Sequence, residues 1–266
     1  MKLTILGCGT STGVPMIGCS CEVCASTDER NKRLRASVFI ETTDADAEPR
    51  NILVDTSVDL RAQALRAGFS RIDSVIFTHP HADHVHGIDD LRIFNVIQKS
   101  SIPCYGDEAT LARVKLLFGY IFNDDEKDGW KPQLGLHIVE GPFDLFGIQV
   151  TPVKVEHGNN MIYGYRFGDL AYITDCSGVP PESMELLRGL KVLILGALRK
   201  KPHFSHFNLE QAIELAKELK ADRTIFTHLS HGLDYVKDVA LLPEGMEFAY
   251  DGMVVEGRGE LKVCKK

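Results

Sequence analysis

No apolar stretch in this sequence reaches the length of a membrane-spanning helix, so no membrane-embedded element or membrane partner is expected. The opening run Met1-Lys2-Leu3-Thr4-Ile5-Leu6-Gly7 is too short for a secretion signal and reads as a β-strand. Positive charge is the next shortage. The 30 Lys and Arg stand against 37 Asp and Glu, a formal charge of −7, which argues against a broad electrostatic grip on nucleic acid. Two local basic spots, Lys32, Arg33 and Arg35 and then Arg199, Lys200 and Lys201, read as solvated patches. Linkers are missing too: no Ser/Gly-rich, Pro-rich or charged run divides the 266 residues, so 1–266 is read as one domain. The single tryptophan, Trp130, lies in the polar stretch 122–132, which reads as a surface loop.

What is present suffices for a full core without disulfides, since 44% of residues are hydrophobic and 25% charged. The seven cysteines are expected in a reducing, cytoplasmic setting, where clustered thiols point to metal or redox chemistry. Short β-branched runs bounded by Gly, Asp, Asn or Pro predict strands at Lys2 to Leu6, Ser37 to Glu41, Ile52 to Asp55, Ser74 to Thr78, Ile148 to Val155, Tyr163 to Phe167, Ala171 to Thr174, Val192 to Leu195 and Arg223 to Thr227. Helical patterns interleave at Val58 to Ala67, Ala109 to Phe118, Glu182 to Arg188 and Leu209 to Leu219. The last can be capped by Asn208, with Gln211 completing a capping box. Strands and helices mixed along the whole length imply α/β or α+β layers.

The decisive segment is Ser74-Val75-Ile76-Phe77-Thr78-His79-Pro80-His81-Ala82-Asp83-His84. A buried strand ends and ligand-type residues follow at once, where a strand terminus can aim them into a cleft. His79 and His81, two apart in extended chain, can point to one side, and Asp83 and His84 fall in the next turn. Four such residues in six positions are hard to bury without a metal, because each would need its own polar partner. Imidazole with carboxylate suits zinc, manganese or iron, and two ions about 3.5 to 4 Å apart can share a hydroxide.

This motif resembles the His-x-His-x-Asp-His signature of the metallo-β-lactamase superfamily. The resemblance implies an αββα sandwich, two facing mixed sheets with helices outside, and a later His, Asp and His at strand ends. His157, Asp175 and His228 stand in that order, each at the end of a predicted strand. By the family's pattern His79, His81 and His157 hold one catalytic ion, Asp83, His84 and His228 the second, and Asp175 bridges them.

A second cluster, Cys19-Ser20-Cys21-Glu22-Val23-Cys24, is too crowded for two relaxed disulfides and suits tetrahedral Cys₃His zinc. His231, three residues after His228, is the candidate fourth ligand. An iron–sulfur cluster usually takes four thiolates, and the remaining alternative is three buried free thiols. Cys8, Cys104, Cys176 and Cys264 stand alone and read as packed or surface thiols.

The Cys motif together with Thr227-His228-Leu229-Ser230-His231 is similar to one branch, the phosphoribosyl cyclic phosphodiesterases of the carbon-phosphorus lyase pathway. The likeness extends over Gly7 to Pro15, Asp89-Asp90-Leu91-Arg92, Ser205-His206-Phe207-Asn208-Leu209 and Tyr250-Asp251-Gly252-Met253. His86 departs from that pattern. The branch implies attack of a metal-bridging hydroxide on a small cyclic phosphate, such as phosphoribosyl 1,2-cyclic phosphate. Asp83 and Asp175 would serve the reacting centre, His206 would serve the leaving group or a phosphate oxygen, and Arg92 or Arg199 would anchor a second phosphate. Rival readings are an RNA 3′-end-processing nuclease, a thioester or lactam hydrolase, and a non-catalytic metal-binding protein. The first lacks a basic, Gly-rich arm here, and the last sits poorly with an intact ligand set. A small phosphorylated substrate is the expected partner, and a homodimer is compatible with the sequence.

Overall fold

The computed structural model describes residues 1–123 and 131–256. The 122–132 loop reading falls mostly outside those residues, as does Cys264. In chain order the strands are β1 (Lys2–Gly7), β2 (Ser37–Thr43), β3 (Pro49–Val54), β4 (Ser74–Ile76), β5 (Ile102–Gly106), β6 (Leu134–Ile138), β7 (Phe143–Leu145), β8 (Ile148–His157), β9 (Asn160–Phe167), β10 (Leu170–Ile173), β11 (Val192–Gly196), β12 (Arg223–Thr227), β13 (Met246–Phe248) and β14 (Val254–Glu256). Among the described residues they form two seven-stranded sheets, ordered β14-β1-β2-β3-β4-β5-β6 and β13-β12-β11-β10-β9-β8-β7.

Three apolar layers hold the sandwich together. Between the sheets, Leu3, Ile5, Val38, Ile40, Val54 and Ile76 meet Val150, Tyr165, Phe167, Tyr172, Ile194 and Ile225. Outside the second sheet, Leu193, Leu195 and Phe226 pack under Leu209, Ala212, Ile213, Ala216 and Leu219 of the helix Leu209–Leu219. Outside the first, Leu6, Phe39, Leu53, Val75 and Phe77 pack under the helices Leu60–Ala67, Leu91–Gln98 and Glu108–Leu117. Strands β10 and β11 are buried on both faces, which is why they read as unbroken hydrophobic runs and not as alternating ones. The expected αββα fold is therefore the observed one.

The capping box on the helix Leu209–Leu219 is present: Asn208 accepts from the Gln211 amide at 2.9 Å, and the Gln211 side chain accepts from the Asn208 amide at 3.0 Å. A cap of this kind is worth about 1 kcal/mol. It fixes where the preceding loop, which carries His206, joins the helix. Among the described residues no helix is long and apolar enough to cross a membrane.

Strand direction sets the site. Strands β10, β11 and β12 are parallel, so their C-terminal ends share one edge of the second sheet. Strand β8 is antiparallel to β9, which is antiparallel to β10, so β8 ends on the same edge. In the first sheet β3 and β4 are parallel and end together. Asp55, His79, His157, Asp175 and His228 follow these ends, the usual place for ligands in sheets of this kind.

Candidate metal centre

His79 and the turn beyond it supply the first ligands. His79 is fully buried, and the short helix Ala82–Val85 buries Asp83 and His84 while His81 stays exposed. Gly87 lets this turn lie on the loop after β3, since a Cβ there would stand 2.0 Å from the Ser57 carbonyl oxygen. Two ligand groups result. The donor atoms of His79, His81, His157 and Asp175 lie within 4.8 Å of one another, as do those of Asp83, His84, Asp175 and His228. Asp175 belongs to both: its Oδ2 faces His79 Nε2 at 3.7 Å, and its Oδ1 faces His84 Nε2 at 3.3 Å and His228 Nε2 at 3.1 Å.

These groups fit metal ions better than they fit each other. His81 Nδ1 stands 3.0 Å from His79 Nε2 and 3.3 Å from His157 Nε2, so ring nitrogens converge on one point. Two nitrogens bound to one ion at about 2.1 Å and a tetrahedral angle would stand about 3.4 Å apart. In the second group, buried Asp83 Oδ2, His84 Nε2 and both ring nitrogens of His228 make no well-formed hydrogen bond, although Asp175 Oδ1 lies 3.1 to 3.3 Å from the two Nε2 atoms, so ligand atoms crowd together without pairing, a costly state without a cation. Burial alone would push His84 down, but the carboxylates of Asp83, Asp175 and Asp55 outweigh it and hold the imidazole well above its usual range. Burial would likewise raise Asp175, yet the positive potential of His228, His84 and His79 keeps it well below the carboxylate range. The buried carboxylates of the second group thus favour positive charge beside them.

Backbone strain accompanies the site. Of seven non-glycine residues with positive φ among the described residues, three are Asp55 (φ 65), Asp175 (φ 45) and His228 (φ 56). Each such turn costs on the order of 1 to 3 kcal/mol and persists where the surroundings impose it. Here it swings a strand-end side chain into the cleft.

Asp55 is a site residue that the sequence reading missed, although it ends a predicted strand just as Asp175 does. It is fully buried, accepts from Thr78 N–H at 2.8 Å and Thr78 Oγ1 at 2.7 Å, and accepts from His84 Nδ1 at 2.7 Å. Pointing Nδ1 at Asp55 leaves His84 Nε2 for the second group. The Ser205 carbonyl does the same for His157, accepting from Nδ1 at 2.7 Å. Asp55→Asn keeps the size and tolerance of positive φ but removes the charge that orients His84. Metal affinity or turnover is expected to fall about 10- to 100-fold, the usual effect of losing such an outer partner. Metal titration of the purified variant checks this, and wild-type affinity together with wild-type turnover would remove Asp55 from the centre.

His206 belongs to neither ligand group. Its ring centroid lies 4.7 Å from that of His157 and 4.9 Å from that of His228, nearly parallel to the latter at 15°. Burial first, then the nearby His228, pushes the His206 imidazole down to about 3. Its ring is therefore uncharged at neutral pH, with one N–H to give. Arg92 pairs with Asp89 at 3.1 Å, and Arg199 donates to the carbonyls of Lys201 at 3.1 Å and Pro202 at 2.9 Å. His86, the departure from the branch pattern, is exposed and meets Phe118 edge-on.

The cysteine group converges as well. His231 Nδ1 stands 3.2, 3.5 and 3.6 Å from the sulfurs of Cys19, Cys21 and Cys24. The Cys24 backbone amide draws the Cys21 thiol down to about 6, while burial pushes Cys24 up to about 11. Cys8, Cys104 and Cys176 are buried and packed. Arg33 corrects the solvated-patch reading. It is 2% exposed, and its guanidinium donates to the Ser230 carbonyl at 2.8 Å and the Leu233 carbonyl at 2.9 Å. It thus clamps the loop that carries both His228 and His231, a pairing across 197 residues that local charge pattern could not reveal.

Comparison with known proteins agrees with this geometry. A family model described as a beta-lactamase superfamily domain matches residues 50–229. A crystal structure described as a new diphosphatase from the PhnP family is 44% identical, with a TM-score of 0.89, covering 97% of this chain and 98% of that one. An octanoyltransferase from Porphyromonas gingivalis is 36% identical over 265 residues, covering 97% of this chain and 52% of the relative, so the chain spans about half that protein's length. Zinc-bound PqqB from Methylobacterium extorquens shares the fold at 20% identity and a TM-score of 0.75, over 96% of this chain and 100% of that one. The chain is a metal-dependent hydrolase of the beta-lactamase superfamily and belongs, within it, to the PhnP family.

Proposed function

We propose that the protein hydrolyses a phosphodiester in a small phosphorylated substrate, in its narrowest form a five-membered cyclic phosphate on ribose such as phosphoribosyl 1,2-cyclic phosphate. The observation that carries this reading is His206, an imidazole outside both ligand groups yet in ring contact with a member of each. Divalent ions held at the two groups, zinc, manganese or iron, supply an activated water and neutralise charge on the phosphate. The chain does the rest. Asp175 gives one oxygen to each group and so sets their spacing, while Asp55 and the Ser205 carbonyl fix the tautomers of His84 and His157. The water oxygen bonds to phosphorus as the ester P–O bond breaks; the neutral His206 ring takes up the proton that this water gives up and passes it to the departing oxygen, leaving a phosphate monoester and a hydroxyl. The amide end of the helix Leu209–Leu219, one turn away in sequence, favours phosphate nearby.

One observation favours a second reading, hydrolysis of a diphosphate: the 44% identity to a diphosphatase. The same residues serve, but a phosphate leaving group departs with less need of a proton. A turnover screen of metal-loaded protein separates the readings. The substrates are phosphoribosyl 1,2-cyclic phosphate, 2′,3′-cyclic nucleotides, a dinucleoside diphosphate, an RNA with a 3′ extension and an octanoyl thioester. A phosphodiester should win. Turnover of the thioester alone would overturn the reading, and preference for the diphosphate would favour the second.

The same reading places a structural zinc on Cys19, Cys21, Cys24 and His231, in addition to two catalytic ions. Elemental analysis of well-loaded protein should give three ions per chain, and one or fewer would refute the assignment. Cys21→Ser is expected to lower Tm by about 10 °C, because losing even ~3 kcal/mol of zinc-linked folding energy shifts a domain of this size by roughly 2 to 4 °C per kcal/mol. Calorimetry and zinc content check it. Unchanged values of both would remove the structural zinc.

A further inference from the structure

At the rim of the metal centre the loop 203–207 holds an aromatic ring out to solvent: Phe204 is 80% exposed. The loop beneath it is fixed on both sides. The Ser205 carbonyl accepts from His157, the Ser205 amide and hydroxyl both approach His203 Nδ1, at 3.3 and 3.2 Å, and the Phe207 amide donates to the Cys176 carbonyl at 2.6 Å. The ring of Phe204 lies over the turn after His157. Gly158 sits there with φ +60, and a Cβ on it would stand 3.0 Å from the Phe204 ring and 3.1 Å from Ser205 Cβ. Glycine suits this positive-φ turn, and a side chain there would press on the Phe204 ring and Ser205.

The rings continue one another outward from the ligands. His206 stacks on His228, His203 follows with its centroid 5.1 Å from that of His206, and Phe204 follows 5.1 Å beyond, tilted by 32° to His203. The last ring in this series faces water, two ring-to-ring steps from the imidazole in contact with both ligand groups. A sugar spans a gap of that kind between a phosphate and a planar base.

We propose that Phe204 and His203 form a stacking subsite for the planar base of a nucleotide-type substrate whose phosphorus sits at the metal centre. The inference rests on the phosphodiesterase reading and adds a substrate class to it, favouring nucleotide esters over bare sugar phosphates. Phe204 is here a specificity residue that touches the base, not the reacting atoms. Stacking on an aromatic side chain tolerates any base, since each has a π-face, and removing the ring typically costs about tenfold or more in affinity.

The test uses two phosphodiesters with one leaving group, thymidine 5′-(p-nitrophenyl phosphate) and methyl p-nitrophenyl phosphate, on metal-loaded enzyme. Phe204→Ala should raise KM for the thymidine ester about tenfold, leave its kcat within about twofold and leave the methyl ester unaffected, while Phe204→Trp restores the wild-type KM. Equal losses on both esters, or none on the thymidine ester, would overturn the subsite. Calorimetry with AMP and with ribose 5-phosphate reads the subsite without turnover. AMP should bind about tenfold more tightly than ribose 5-phosphate to the wild type and no more tightly to Phe204→Ala. Equal affinities for the two in the wild type would also overturn it. A preference for AMP in a protein that turns over neither ester would keep the subsite and discard the phosphodiesterase reading.

Discussion

Asp175→Ala is expected to abolish turnover, with kcat falling more than about a thousandfold, while the protein stays folded. Asp175 is the one residue common to both ligand groups, its two oxygens facing different sets of imidazoles. Losing it takes a ligand from each group, one of the carboxylates that hold His84 above its usual range, and the oxygen 3.1 Å from His228 Nε2. Metal polarisation is worth several kcal/mol in such reactions, and each 1.36 kcal/mol is about tenfold in rate, so a thousandfold is a lower bound. The fold should tolerate the change, because Asp175 follows the end of β10 and contributes no apolar packing. Alanine at φ 45 costs about 1 to 2 kcal/mol, which Asp175→Asn avoids. Both variants should melt cooperatively, as circular dichroism would record, and both should lose activity. Near-wild-type turnover in either would remove Asp175 from its shared position in the mechanism.

His206→Ala should act differently, leaving metal content intact and slowing only the chemical step. The residue completes neither ligand group, so elemental analysis should match the wild type. General acid catalysis is typically worth about a hundredfold to ten-thousandfold, and kcat on an ester with a poor alkoxide leaving group should drop by at least the lower figure. The drop should shrink on a p-nitrophenyl ester, whose leaving group departs without a proton. Equal slowing of both substrates would make His206 a phosphate-positioning group, and no slowing would make it a bystander. The neutral state imposed by burial and by His228 is compatible with either part, since an approaching phosphate raises the ring's proton affinity.

The first four ligand residues could be named from the sequence because their spacing is local, and the other three because the resemblance carried by that motif implies a later His, Asp and His at strand ends. The motif His79 to His84 is compact, and His157, Asp175 and His228 each follow a recognisable hydrophobic run. The same rule applied to Val54-Asp55 would have found Asp55. Short edge strands escaped: β7, β13 and β14 have three residues each, too few for alternation to show. Strand β5 contains Pro103, which argues against a strand, and β6 contains Gly135 and His137. The helix Leu91–Gln98 was passed over although its apolar residues buried under it, Leu91 and Phe94, are three apart.

By itself, then, the sequence determined the fold class, the ligand residue types and the two clusters, because hydrophobic period and motif spacing are properties of neighbours along the chain. Only the tertiary structure decided which atoms meet. It brought the donor atoms of the two expected ligand groups together around Asp175, put the Asp55 carboxylate and the Ser205 carbonyl behind His84 and His157, and turned Arg33 from a surface charge into a buried clamp. It also showed that Arg92 and Arg199 already have partners near their own loops. These outcomes depend on strand direction and sheet order, which bring residues up to about 200 positions apart into hydrogen-bond range, and no local pattern encodes that proximity.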